Sequence, residues 1–245
     1  MQEDILELYP APGTRHRLRG LYLKQMRDAG APAAQPFIYS NFISSLDGRI
    51  ALPDPDRNSH QVPPAIGNSR DWRLFQELAA QADLLITSGR YFRQSAAQET
   101  QAELPVGLSA DFDDLREWRL HNDLAPQPDI AVFSASLDIP ITASKEYGDR
   151  KLYIITGARA DRAKVRKLTG ESHAEIITCG AQSHVDASQL RSELATRGYR
   201  NVYAIAGPAV LHTLVEGSAL DRLYHTAAHC LLGGPRFHTF ISEPN

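Results

Sequence analysis

Seven short apolar runs of strand length punctuate this chain, at residues 37–43, 83–87, 130–134, 151–156, 174–179, 201–206 and 222–232. Helical patterns separate several of them, at 70–81, 112–121, 159–168, 187–197 and 208–216. On the first of these Phe75, Leu78 and Ala82 share a face, Asn68-Ser69 offers the N-cap, and Asp71 stands in the first turn. Apolar strands alternating with helices are joined by crossovers and buried on both sides. The expected fold is therefore α/β, three layers with a mostly parallel central sheet flanked by helices.

The 245 residues, 42% of them hydrophobic, suffice to bury a full core without disulfide staples. Residues 1–36 stand apart. Pro10-Ala11-Pro12-Gly13 is a breaker, Leu18, Leu21, Tyr22 and Met26 recur at helical spacing, and residues 30–36 have linker composition. They are expected to form a helical extension packed on a body of residues 37–245. Residues 93–107 lack periodicity and read as a long loop, a kind of segment that is often functional.

A formal charge of −3 gives no basic field, which argues against a nucleic-acid or anionic-membrane partner. Cys179 and Cys230 form neither a disulfide framework nor a metal spacing, as expected of a reducing compartment. The start Met-Gln-Glu-Asp has no basic, apolar leader, and no stretch has the length of a membrane span. A soluble cytoplasmic protein is the expectation. No metal site is expected either: His225 and His229 lie in a strand-like run, where residues four apart are separated by roughly 13 Å.

In a parallel sheet, ligands bind beyond the carboxyl ends of the strands, and four such ends carry polar groups. The first runs from Asn41 through Ser44, Ser45 and Asp47-Gly48, which by itself is also an ordinary Asx turn. The second ends Thr87-Ser88-Gly89-Arg90, where a following helix would aim N–H groups at an anion and Arg90 would add a bidentate charge. The third is Ala206-Gly207-Pro208-Ala209-Val210-Leu211, a glycine for close approach followed by a proline suited to the first helical position. The fourth is Thr156-Gly157 with Arg159 and Lys164 behind it, which equally suits a cap and a solvated helix face.

Taken in order, these elements resemble the pyrimidine reductases of riboflavin synthesis, a dihydrofolate-reductase-like family. The likeness spans residues 37–234. It rests on Ser45-Leu46-Asp47-Gly48, Ala82-Asp83-Leu84-Leu85-Ile86, the Ser-Leu-Asp-Ile-Pro stretch from Ser136 to Pro140, and Ile154-Ile155-Thr156. Further along it takes in Cys179-Gly180, Arg197-Gly198, the turn at Gly207, Leu220-Asp221 and Gly233-Gly234. The resemblance implies NADPH as cofactor, with its nicotinamide near Asn41–Asp47 and its pyrophosphate on Gly207, Pro208, Ala209, Val210 and Leu211, opposite Thr87. It implies that Arg90 after Gly89 meets the 2′-phosphate, and it brings Ser88, Thr156, Gly157, Arg159 and Gly180 into the cofactor set. A homodimer is implied as well.

By the same likeness the chain is expected to be an NADPH-dependent reductase of a small polar heterocyclic or sugar-phosphate substrate, similar to 5-amino-6-(5-phosphoribosylamino)uracil reductase. Asn41, Ser44 and Ser45 are its expected substrate contacts. The sequence also departs from the family. Where relatives carry Asp-Asp-Pro it reads Gln94-Ser95-Ala96-Ala97, so the nearest acids are Asp47 and, more remotely, Glu99. These two are the candidate proton donors. The chain also ends soon after Gly234, where relatives run into a further strand. Two other readings stay open: a non-catalytic nucleotide-binding module on the same fold, or a reductase for a different substrate.

Overall fold

Strands without a polar face belong in the interior of a sheet, where both sides are covered. The chain's most apolar runs do sit there. In the computed structural model, which describes residues 4–9, 13–23, 35–54, 60–96, 105–140, 147, 149–235 and 237–240, the strands are β1 (Asp4–Leu6), β2 (Arg15–Arg17), β3 (Phe37–Ser45), β4 (Arg49–Pro53), β5 (His60–Gln61), β6 (Leu84–Ser88), β7 (Asp129–Phe133), β8 (Leu152–Thr156), β9 (Glu175–Thr178), β10 (Asn201–Ala204), β11 (Arg222–Ala228) and β12 (His238–Thr239). The helices are α1 (Ser69–Ala80), α2 (Gly89–Ala96), α3 (Asp113–His121), α4 (Arg162–Glu171), α5 (Leu190–Thr196) and α6 (Pro208–Glu216). Seven strands form one sheet in the order β11-β3-β10-β6-β7-β8-β9, and every pairing in it is parallel. β8 is buried throughout, whereas the edge strand β11 alternates half-buried and exposed residues.

Helices cover both faces. On one, Leu190 and Leu194 of α5 and Val210 and Leu214 of α6 pack on Ile38, Ile86 and Ile155. On the other, Leu74 and Leu78 of α1 and Leu115 of α3 meet Tyr39, Leu85 and Tyr203, while Phe92 of α2 and Leu168 of α4 meet Ile130, Val132 and Ile154. Asn68 caps α1 by accepting from the Asp71 N–H at 2.9 Å, as its sequence suggests. No helix among the described residues is long and apolar enough to cross a membrane.

Connectivity creates the crevice. From β6 the chain steps outward through β7, β8 and β9, then returns to β10 between β3 and β6 and steps to β11 at the opposite edge. α2 therefore leaves β6 in one direction while α6 leaves β10 in the other. This reversal opens a cleft at the carboxyl ends of β10 and β6.

The structure differs from the sequence expectation in four places. Residues 4–17 contain an antiparallel pair, β1 with β2, and only residues 21–23 are helical among those described; Met26 lies outside them. The local pattern misled because Leu18 and Leu23 are buried against the body as anchors, not as one face of a long helix. The stretch read as a loop from residue 93 begins as the last turn of α2, held by buried Phe92 and by Arg93 donating to the Asp138 carbonyl at 2.9 Å. The last apolar run is a strand only to Ala228. Beyond it, β12 pairs antiparallel with β4 in a separate small sheet with β5; β5 and β12 are two residues each, too short to show period-2 alternation, and β4 buries only Ile50.

Two buried ionic groups fasten the periphery. Glu77 accepts from the Gly20 N–H at 2.6 Å, the Tyr22 N–H at 3.0 Å and Arg73 Nε at 2.8 Å. Arg119 donates to the carbonyls of Ala80, Ala82 and Ala125 at 2.9, 2.8 and 2.7 Å, closing the carboxyl end of α1 with a cation.

Candidate functional site

The two helix starts at the reversal differ from an ordinary packed end. Gly207 is the N-cap of α6 and supplies no side-chain cap, and Pro208 occupies the first turn. A Cβ built on Gly207 would meet nothing within 4 Å, so the space before this helix is open. Val210 and Leu211 turn their side chains into the core, which leaves the backbone and the small side chains of Pro208 and Ala209 from this turn to face a ligand. Across the cleft Thr87 is buried, Ser88 is half-buried, and Gly89 begins α2. A Cβ on Gly89 would lie 3.1 Å from Ser134 Oγ, so this glycine lets the β7 end approach closely. Arg90 is exposed at the first turn of α2. An open glycine, a helix start without a side-chain cap and a cation together suit a pyrophosphate-bearing dinucleotide.

The fourth predicted strand end closes on itself. The Ala158 N–H donates to the Gly180 carbonyl at 2.9 Å and the Arg159 N–H to the Gln182 carbonyl at 3.0 Å. A Cβ on Gly157 would sit 2.1 Å from the Gln182 oxygen, and Gly180 has φ +100° with Asp186 packed against it. Gly157 is thus a packing position, because the backbone of Gln182 and His184 fills the space beside it, whereas Gly180 lines an open cavity with Gln182, Asp186 and Thr213. Arg159 points into solvent, and Lys164 pairs with Asp138 at 2.6 Å. Thr156 is buried, and its hydroxyl has no hydrogen-bond partner among the described residues.

At the end of β3 the three predicted substrate contacts separate, because side chains alternate across a strand. Asn41 faces α1, where its Oδ1 accepts from the Tyr203 hydroxyl at 2.5 Å. Ser44 lies on the opposite face, its Oγ 2.8 Å from His225 Nε2. Ser45 donates to Asp47 Oδ1 at 2.5 Å and accepts from the Arg49 N–H at 3.1 Å, so it belongs to the turn.

Asp47 is the principal correction. Besides Ser45 it accepts from Arg49 Nε at 2.7 Å and from the N–H groups of Leu232 and Gly233 at 3.2 and 3.0 Å. These bonds, that of Ser45 foremost, hold the carboxyl well below the usual carboxylate range. A group kept ionised in this way is not a proton donor near neutral pH. It clips the β3–β4 turn to the segment after β11. Glu99 lies outside the described residues.

Sequence reasoning passed over a second acid. Asp71, noted in the sequence only as a first-turn residue of the helix, accepts from the Thr226 hydroxyl at 2.6 Å, and burial raises its carboxyl above the ordinary value. Nothing local signals this, since Thr226 lies 155 residues away. Among the described residues no group of three or more His, Cys, Asp or Glu side chains could hold a metal.

Comparison with known proteins accords with this arrangement. The family model described as the RibD C-terminal domain matches residues 36–245. Among solved structures, a pyrimidine reductase-like protein from Corynebacterium diphtheriae superposes with a TM-score of 0.60 at 16% identity, over 85% of this chain and 82% of that one. The riboflavin biosynthesis reductase Rib7 of Saccharomyces cerevisiae gives 0.56 at 13% identity, over 90% and 87%. RibD of Acinetobacter baumannii gives 0.56 at 16%, covering 91% of this chain and 52% of that one, so the chain spans about half of that protein. No curated protein matches by sequence.

Proposed function

This chain belongs to the RibD C-terminal domain family, and on that premise we propose that it is an NADPH-dependent reductase acting on a ribosylamino-pyrimidine or a closely related polar heterocycle. The observation that carries the reading is the pair of helix starts at the sheet reversal, Gly207-Pro208 on one side and Gly89-Arg90 on the other. Backbone N–H groups of α6 would hold the pyrophosphate, and Arg90 would meet the phosphate that distinguishes NADPH from NADH.

Bound reduced nicotinamide would supply a hydride. The residues of the chain orient and enclose. Asn41, fixed by Tyr203, presents its amide toward the α1 side of the cleft, where a ring or ribityl hydroxyl would bind. The β3–β4 turn, clipped by Asp47, gives the crevice a rigid wall. A second copy of the chain is the proposed partner, covering the β11 edge.

Titration of the protein with NADPH and NADH, read by fluorescence and by thermal shift, tests this reading. NADPH is expected to bind more tightly. Arg90→Ala should remove about 1.5–3 kcal/mol of that preference, the worth of a hydrogen bond to a charged group. Binding of neither nucleotide would refute the cofactor reading. Tight NADPH binding without oxidation in the presence of 5-amino-6-(5-phosphoribosylamino)uracil would favour a nucleotide-binding module.

A further inference from the structure

Reduction of a C=N or C=O group needs a proton as well as a hydride, and Asp47 cannot provide it. Asp71 has the arrangement Asp47 lacks. Its N–H is fixed by the Asn68 cap, and its Oδ1 is held by Thr226 at 2.6 Å. Among the described residues no hydrogen bond reaches Oδ2, and Asp71 is half-buried rather than sealed.

The groups around it come from four elements: Tyr22 of the N-terminal segment, Tyr203 of β10, Tyr224 and Thr226 of β11, and Glu77 further along α1. The arginines of α1 and β11 are Arg222, whose Nη1 donates to the Tyr224 hydroxyl at 3.3 Å, Arg73, committed to Glu77 and Asp114, and the exposed Arg70. Burial raises the Asp71 carboxyl, and the Thr226 bond lowers it by less. Tyr203, one of these neighbours, also reaches the predicted substrate position, since its hydroxyl donates to Asn41.

We propose that Asp71 is the proton donor of the reduction, with Thr226 as the residue that positions it; this rests on the reductase reading above. For a ribosylamino substrate in its open-chain imine form, hydride forms the new C1′–H bond. The C=N π pair takes the carboxyl proton to become N–H. Asp71 is left as carboxylate and regains its proton from solvent after product leaves.

The test has a readout independent of turnover. Carbon-13 NMR of aspartate-labelled protein without ligand should show Asp71 titrating above the ordinary carboxylate range, and higher still in Thr226→Val, which removes a bond to the charged form. An Asp71 signal at or below the ordinary range would overturn the proposal, even if no variant folded. In single-turnover assays with NADPH and 5-amino-6-(5-phosphoribosylamino)uracil, Asp71→Asn should slow hydride transfer by about 10²–10⁴-fold, the usual worth of general acid catalysis. It should also abolish the alkaline fall of the rate while leaving NADPH affinity unchanged. Thr226→Val should move that fall to higher pH. If the native protein turns over and Asp71→Asn matches it in rate and pH profile, the proton-donor assignment alone fails. If the native protein binds NADPH but never oxidises it with this substrate, the reductase reading fails and the assignment goes with it.

Discussion

Glu77→Gln probes how the N-terminal segment is attached. The Glu77 side chain has no exposed surface, and its two oxygens accept from three donors. Oε1 serves the Gly20 N–H and Arg73 Nε, while Oε2 serves the Tyr22 N–H. Glutamine has one acceptor oxygen, so its amide nitrogen must face at least one of these donors. The replacement also removes the negative charge beside Arg73, whose side chain is 7% exposed and would keep only Asp114 as an ionic partner. Losing a charge-assisted bond and leaving a buried donor unsatisfied costs about 3 kcal/mol, at the lower end for breaking a buried ion pair. For a chain of this size each kcal/mol moves the melting temperature by about 2–4 °C, giving a fall of roughly 6–12 °C. Scanning calorimetry measures it, and limited proteolysis within residues 13–23 should accelerate in parallel. Replacing the pair together, Arg73→Met with Glu77→Leu, should recover part of the stability, because no charge is then stranded. A Glu77→Gln protein that melts within about 1 °C of the original would refute the claim that this carboxylate is a buried, three-fold acceptor.

Arg119→Met should cost about 2–3 kcal/mol in urea unfolding, since three carbonyls, those of Ala80 and Ala82 at the junction of α1 and β6 and that of Ala125 after α3, lose a charged donor. Two glycines should part company: Gly157→Ala forces a Cβ to 2.1 Å from a backbone oxygen and should destabilise the fold strongly, whereas Gly207→Ala meets nothing within 4 Å and should unfold like the parent. Gly207→Ala should nevertheless weaken NADPH binding, as measured by titration, because the added methyl enters the space before α6. Cys179 is buried and burial pushes its thiol up to about 11, so a thiol reagent near neutral pH should modify Cys230 alone until the protein is unfolded.

The order of the crossover elements was readable from the residues because apolar runs and helical faces are local patterns. The runs around Leu84, Ile130, Ile154 and Val202 became adjacent parallel strands for that reason. The Gly207 and Gly89-Arg90 turns were likewise visible, since a glycine closing a strand and a proline opening a helix are local devices. The β1–β2 pair and the short sheet of β4, β5 and β12 were not, because strands of two or three residues such as β1, β2, β5 and β12 carry no periodicity and β12 lies far along the chain from β4.

By itself the sequence determined the α/β class, the glycine turns that close β6 and β10 and the net charge of −3, all of which follow from residue type and near-neighbour spacing. Only the tertiary structure decided which acids matter. Asp47 and Asp71 both stand at polar turns in the sequence. Folding surrounds Asp47 with donors from residues 232 and 233, so that it stays ionised. It half-buries Asp71 beside Thr226, so that it holds a proton more readily. The balance of desolvation, hydrogen bonds and charge around a carboxyl is set by groups remote in the chain, and no local pattern records it.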